Sequence, residues 1–322
     1  MNKSMTISVL GCGRWGSFIG WYLDKIGNRV TFYGQSGSAS YNELVTTRTN
    51  GVLSYRDEIS FTQSLEDALK SEVIVISIPS QSLRSLMGEI SLYSPKNKIF
   101  ILCMKGLEIG TGKRLSEVAE EFLSEDNKVA VWIGPGHPQE FAKGVPNCMV
   151  IDCKDKATTV LLADSFSSPL IRFYYGTDLV GNEIGAALKN VIGIGAGFLD
   201  GLGTPSLKGA LISRATSEVS RFIGAMGGNP ISAYGLCHLG DYEATVFSKY
   251  SHNRAFGEAF IKGEKYSSLA EGYYTADAVH RIALEKSLDL PITSAIYFIL
   301  YENADITTTL EGLFSRAKKS EF

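Results

Sequence analysis

Residues 11–16 read Gly-Cys-Gly-Arg-Trp-Gly, directly after the β-branched run Thr6–Leu10 and at the opening of a helical pattern, Trp15–Lys25. Glycines at this spacing between a strand and a helix restrict the fold more than any other stretch of the chain. Gly11 permits the tight turn, Gly13 lets the backbone approach a pyrophosphate, and Gly16 allows the helix to pack closely on the sheet. The amides at the helix start then hold the anion. A second strand, Arg29–Tyr33, follows at the spacing of a dinucleotide-binding unit. Gly11, Gly13, Arg14, Trp15 and Gly16 are therefore candidate cofactor-binding residues, for NAD or NADP.

The rest of the first half fits that start. Short apolar runs at Val73–Ile78, Lys98–Cys103, Val129–Ile133 and Cys148–Asp152 alternate with helical patterns such as Arg114–Leu123. Near-continuous apolar strands are those buried on both faces of a parallel sheet. The expected fold is α/β, with an N-terminal Rossmann-type doubly wound sheet. After Asp178 the pattern turns helical: Leu179–Phe198, Leu207–Gly224, Ala255–Ile261, Thr275–Leu288 and Ile292–Tyr301. We expect a dinucleotide-binding domain over 1–178 and an all-α C-terminal domain over 179–322.

Charge and cysteine usage exclude other classes. A net charge of −3 argues against a general nucleic-acid binder. No run reaches the roughly 18 apolar residues that span a bilayer, so no stable membrane insertion is expected. The N-terminus lacks the pattern of a signal peptide. Five cysteines, at 12, 103, 148, 153 and 237, form no Cys-x-x-Cys pair and read as reduced thiols of a cytoplasmic protein. Four scattered histidines offer no metal-ligand spacing.

The second strand ends in Phe-Tyr-Gly-Gln-Ser, without the carboxylate that would accept from a ribose 2′-hydroxyl and repel a 2′-phosphate. Gln35, Ser36 and Ser38 offer donors to a 2′-phosphate, with Arg48 in reach; a solvated turn is the other reading. The preference between NAD and NADP stays open, leaning to NADPH. Pro79 and Ser80 follow the strand Val73–Ile78 and fall at the carboxyl edge of the sheet, where such folds bind ligands; Ser80 also suits a plain helix cap. Lys105 occupies the same edge after the next strand. Lys189 is more informative, because the segment 181–198 is apolar or small nearly all round and so belongs to a buried helix. An ammonium there is costly unless paired or beside a cleft, and burial lowers its pKa. A lysine snorkelling to the surface is the bland alternative. His137, in Gly-His-Pro-Gln-Glu, reads as a loop histidine, with entry into the pocket as the second reading.

Leu188-Lys189-Asn190-Val191-Ile192 resembles the signature of the glycerol-3-phosphate dehydrogenases. So do Gly11–Gly16, Ile78-Pro-Ser-Gln81, Lys105-Gly106, Gly134-Pro135 and Gly240-Asp241 with Thr245, with Glu271-Gly272 and Leu290-Pro-Ile-Thr293 as weaker matches. The resemblance implies reversible, NAD(P)H-dependent reduction of dihydroxyacetone phosphate to sn-glycerol 3-phosphate, a supply for phospholipid synthesis. It implies Lys189 as general acid, Lys105 as a second active-site lysine binding substrate oxygens, and Asn190, Asp241 and Thr245 orienting Lys189 or the substrate. It adds Glu271 to the cofactor set, and His252, Asn253 and Arg254 to the substrate set. The family often forms homodimers, for which the apolar helices offer a surface. Where it reads Ser-Arg-Asn-Arg, this chain has Ser251-His252-Asn253-Arg254. The missing arginine helps bind the substrate phosphate and the cofactor, and a neutral histidine cannot reproduce its fork; Arg254 or Lys249 could compensate. Two other readings follow: a related dehydrogenase of another small hydroxy acid or phosphate, and a cofactor-binding regulatory protein without catalysis.

Overall fold

The structure, a computed structural model, describes residues 4–318 and 320. Its strands are β1 (Thr6–Leu10), β2 (Arg29–Tyr33), β3 (Ser60–Thr62), β4 (Val73–Ile76), β5 (Ile99–Leu102), β6 (Lys128–Ile133), β7 (Asn147–Cys153) and β8 (Ile171–Tyr175). They form one sheet in the order β3-β2-β1-β4-β5-β6-β7-β8. The order reverses beside β1, so the crevice at its carboxyl end is the place where such sheets bind ligands. Pairing is parallel except between β6 and β7, which run antiparallel.

Alternation along β4 shows why the apolar runs are strands. Val73 and Val75 join a core on one face of the sheet, and Ile74 and Ile76 a core on the other. Both faces are covered, as the continuous hydrophobicity requires. The sequence reading places six strands and lacks β3 and β8. The first is three residues long, and β8 (Ile-Arg-Phe-Tyr-Tyr) leaves Arg172, Tyr174 and Tyr175 exposed.

The helix Leu179–Gly201 is buried without interruption from Glu183 to Leu199. Leu179 and Ala186 pack into one of the sheet's cores, Ile184 and Leu188 into a second cluster, and Val191 and Ile194 into a third. It therefore joins the sheet to the helices 208–225, 252–262, 271–285 and 291–301. Its glycines are contact points. A Cβ at Gly197 would overlap the Arg254 carbonyl, and one at Gly257 the Ile194 carbonyl, so the helix His252–Lys262 crosses at backbone distance. Of the five cysteines, all free, only Cys148 is less than fully buried. Among the described residues no helix is long and apolar enough to cross a membrane.

Candidate active site

Lys189 lies mid-helix with only 8% of its side chain exposed. Its Nζ donates to Asp241 Oδ2 at 2.7 Å and to Thr245 Oγ1 at 2.7 Å. Asp241 ends the short 3-10 turn Leu239–Asp241, and Thr245 sits in the π-turn Glu243–Phe247 that follows. Helical irregularities of that kind recur at functional sites. Lys105, just past the end of β5, reaches the same carboxylate oxygen at 2.7 Å and donates to the Gly134 carbonyl at 2.8 Å, just past the end of β6. One carboxylate thus gathers two ammonium groups. An ammonium has three N–H donors, so each lysine keeps one for a ligand.

Burial pulls the Lys189 ammonium down to about 8; the Asp241 carboxylate resists that fall, and the nearby charge of Lys105 adds to it. An acid poised near neutrality is what proton transfer requires. Two buried atoms of the site are free to meet a ligand. Asp241 Oδ1 and His137 Nε2 have no hydrogen-bond partner, as do four other buried side-chain atoms among the described residues, but only these two stand with the lysines. Burial keeps the His137 imidazole below its ordinary range, with the charges of Glu140, Lys189, Asp241 and Arg14 acting on it in opposing senses. Its ring meets Tyr250 edge-on at 5.4 Å. His137 thus stands among the charged groups of the site, the second of its two sequence readings.

The glycine-rich turn has the shape a dinucleotide needs. Gly11 adopts φ +112°, and a Cβ there would overlap the Ser77 carbonyl; a Cβ at Gly16 would overlap the Gly11 carbonyl. Gly13 faces open space, with nothing within 4 Å of an added Cβ. The helix Arg14–Lys25 that follows has no side-chain cap, so its first amides are left to an anion. Trp15 packs instead against Phe18 at 5.1 Å and Phe141 at 6.5 Å, which makes it part of the hydrophobic wall. Arg14 has no carboxylate partner among the described residues. Its charge is felt by His252, whose imidazole burial already lowers, and by Tyr266, whose phenol burial raises. His252 Nδ1 in turn meets the Tyr266 hydroxyl at 2.7 Å.

Other candidates stand in different company than expected. Asn190 does not orient Lys189; its amide holds the Lys105 carbonyl at 3.2 Å and so fixes the partner loop. Asn253 Oδ1 accepts from the Gly272 amide at 2.9 Å, which leaves its Nδ2 as a donor. Arg254 is engaged by Asp200 at 2.5 Å, an oxygen it shares with Lys208, and Lys249 is exposed over the Tyr250 ring. Neither is placed as the compensating cation; the charge that acts on His252 is that of Arg14. Ser80 and Glu271 bond to each other through both the Ser80 amide, at 2.8 Å, and its hydroxyl. That pair ties the loop after β4 to the start of the helix Glu271–Glu285, a domain-docking contact. Ser38 caps the helix Ala39–Thr47, while Gln35 and Ser36 lie in an exposed turn before it, as the solvated-turn reading expects. Arg48 is turned away, donating to the Ile59 carbonyl at 2.8 Å and lying on the Phe61 ring.

Sequence reasoning passes over Tyr266, Asp200 and the Gly134 carbonyl as partners of these groups. The first two stand in no motif, and a backbone carbonyl has no sequence signal. The helix spacing does place Asn182 with Lys189 and Glu183 with Asn190. In the structure Glu183 instead forms a buried ion pair with Arg114 at 2.5 Å, and Asn182 donates to Asp152 at 2.7 Å.

Comparison with known proteins gives the family. Residues 6–159 match the model for the N-terminus of NAD-dependent glycerol-3-phosphate dehydrogenase, and residues 178–311 match the model for its C-terminus. The chain is 35% identical to glycerol-3-phosphate dehydrogenase [NAD(P)+] of Thermoanaerobacter sp., over 98% of this chain and 99% of that one. It is 34% identical to the protein of the same name from Listeria monocytogenes, over 98% and 97%. In fold it is similar to glycerol-3-phosphate dehydrogenase from Coxiella burnetii, with TM-score 0.90 and 24% identity over 97% of this chain and 99% of that one. The fold also reaches D-mandelate dehydrogenase, at TM-score 0.63 and 14% identity over 93% and 98%.

Proposed function

The chain belongs to the NAD-dependent glycerol-3-phosphate dehydrogenase family, and from that premise we propose that Lys189, Asp241 and Lys105 carry its chemistry as one unit. It is an NAD(P)-dependent oxidoreductase that interconverts dihydroxyacetone phosphate and sn-glycerol 3-phosphate. The observation that supports the assignment is the single Asp241 carboxylate oxygen shared by two lysines, each with one donor left.

When bound, the reduced nicotinamide supplies the hydride. The open Gly13 and the uncapped amides of the helix Arg14–Lys25 hold the cofactor pyrophosphate. Lys189 aims its remaining N–H at the ketone oxygen, stabilises the charge that develops there, and gives up its proton to form the hydroxyl. Thr245 and Asp241 fix the ammonium in that direction. Lys105 donates its remaining N–H to a second substrate oxygen, and Asn190 holds the Lys105 loop in place. In the oxidative direction the neutral Lys189 amine takes the hydroxyl proton. Asn253 Nδ2 and Arg14 bind the phosphate, with His252, held by Tyr266, supplying a neutral edge.

We place the boundary between the two domains at residue 178, between the end of β8 and the helix capped by Asp178. Work in the cytoplasm, as a homodimer, with the product feeding phospholipid synthesis, belongs to the same proposal. The test is oxidation of NADH and NADPH, in parallel, with dihydroxyacetone phosphate and purified protein. Turnover that disappears in Lys189→Ala while cofactor binding persists supports the assignment. Turnover surviving in that variant, or confined to other ketones, overturns it.

A further inference from the structure

A cavity of about 890 Å³ opens between the helices 179–201, 208–225, 291–301 and 306–314, and neither active-site lysine lines it. That volume lies in the range of small-molecule sites, roughly 300–1,000 Å³. Its walls are apolar, with Phe198, Leu211, Ile296, Leu310 and Phe314 among them. Phe314, part of this lining, is 68% exposed.

The charged groups at this cavity are unequal in sign. Glu218 is turned inward, accepting from the Ile292 amide at 2.7 Å and from Thr293. Asp289 is held by Arg316 at 2.7 Å, and Arg221 donates to the Asp289 carbonyl at 3.0 Å. Arg214 is exposed and has no carboxylate partner among the described residues. The lining thus offers an apolar interior with surplus guanidinium charge. We propose that this cavity binds a long-chain carboxylic acid, its chain among the aliphatic and aromatic walls and its carboxylate on Arg214.

A second copy of the chain fits less well. A two-fold interface sets a patch against itself, and here a concavity edged by arginines would face the same concavity. The position also connects the cavity to the reaction. Gly195 and Phe198 come from the helix that carries Lys189, and six residues of helix separate Lys189 from Gly195 by about 9 Å. Ile296 presses on Gly195, where an added Cβ would lie 2.9 Å from its Cδ1. A ligand wedged there bears on the Lys189 helix from outside the active site, and so alters turnover without competing with either substrate.

The experiment uses the full chain, with palmitate and laurate below their micellar concentrations displacing a fluorescent polyene fatty acid. Dodecyltrimethylammonium serves as the cationic control. We expect saturable binding of one palmitate per chain and weakening by about fourfold for each methylene removed. Laurate should bind at least tenfold tighter than the cationic control. Arg214→Glu should weaken palmitate at least tenfold, and Ala210→Phe, on an exposed position of the cavity wall, should abolish binding. Both variants should keep the wild-type melting temperature and lipid-free turnover. Absence of saturable binding, equal binding in both variants, or inhibition competitive with cofactor or ketone would overturn the proposal. So would a dimer that Ala210→Phe disperses in a protein that takes up no palmitate.

Discussion

Asp241→Asn removes the negative charge between the two lysines while keeping the shape of the side chain. Lys189 stands at about 8 because burial lowers it and the carboxylate, 2.7 Å away, holds it up. A hydrogen bond between charged groups is worth about 1.5–3 kcal/mol, and one pKa unit corresponds to about 1.4 kcal/mol, so the loss is about one to two units. Lys189 in the variant should titrate at about 6–7. Reduction needs the ammonium, so kcat/KM for dihydroxyacetone phosphate is high at low pH and falls as pH rises through that value. At pH 8 about half the wild-type lysine is protonated against about 1–9% in the variant, which predicts a loss of about 5- to 50-fold from that cause alone. Oxidation of glycerol 3-phosphate needs the free amine, so its acidic limb should move down by the same interval. The assay is nicotinamide absorbance in both directions from pH 6 to 10. A basic limb that stays near 8, or moves up, would refute the assignment of that titration to Lys189 under the control of Asp241.

Three further outcomes follow from named contacts. Arg14→Ala should raise the KM for dihydroxyacetone phosphate by about 10- to 150-fold, the equivalent of one charged contact of about 1.5–3 kcal/mol, and adding His252→Arg should recover part of it; no recovery would separate the two positions. His137→Ala should lower kcat/KM with dihydroxyacetone phosphate and leave the melting temperature within a degree or two, because its orphaned Nε2 makes no bond to lose; unchanged steady-state kinetics would return it to the loop. Gly197→Ala drives a methyl into the Arg254 carbonyl, and overpacking of this kind costs about 1–3 kcal/mol, which denaturant titration should register as a lower midpoint with unchanged slope.

The parts of the fold legible in the sequence are those with strong local signals. Continuous apolar runs gave β4, β5 and β6 to within two residues at each end, and the glycine motif located the first turn. The antiparallel turn of β7 was not legible, because an apolar strand looks the same in either direction. Ser38 shows another limit: a serine among small polar residues suits a turn as well as a helix start, and only the chain that follows decides between them. In the site, the all-round apolar helix identified Lys189 as an expensive lysine, a statement about burial that needs no partner to be known. Its partner could not be read in the same way, since Glu183 and Asn190 share a helical face and yet bond to different elements.

What the structure adds is where charge goes when the expected residue is absent. The sequence leaves a histidine at the position of the family's phosphate-binding arginine and suggests Arg254 or Lys249, the nearest cations along the chain, as substitutes. Proximity along the chain is a poor guide on a helix, where residues two apart face different ways. Arg254, two positions on, pairs with Asp200 across the Gly197–Gly257 crossing, and that ion pair is part of how the two helices are fastened. Arg14 is 238 residues away in sequence and belongs to the other half of the molecule, yet its charge acts directly on His252. In the proposed arrangement a cation on the glycine-rich turn would stand beside the pyrophosphate as well as the substrate phosphate. Charge moved to that position links cofactor and ketone affinity, so Arg14→Ala should weaken the ketone more when cofactor is bound than when it is absent. Equal losses in the two states would mean that Arg14 serves one ligand only.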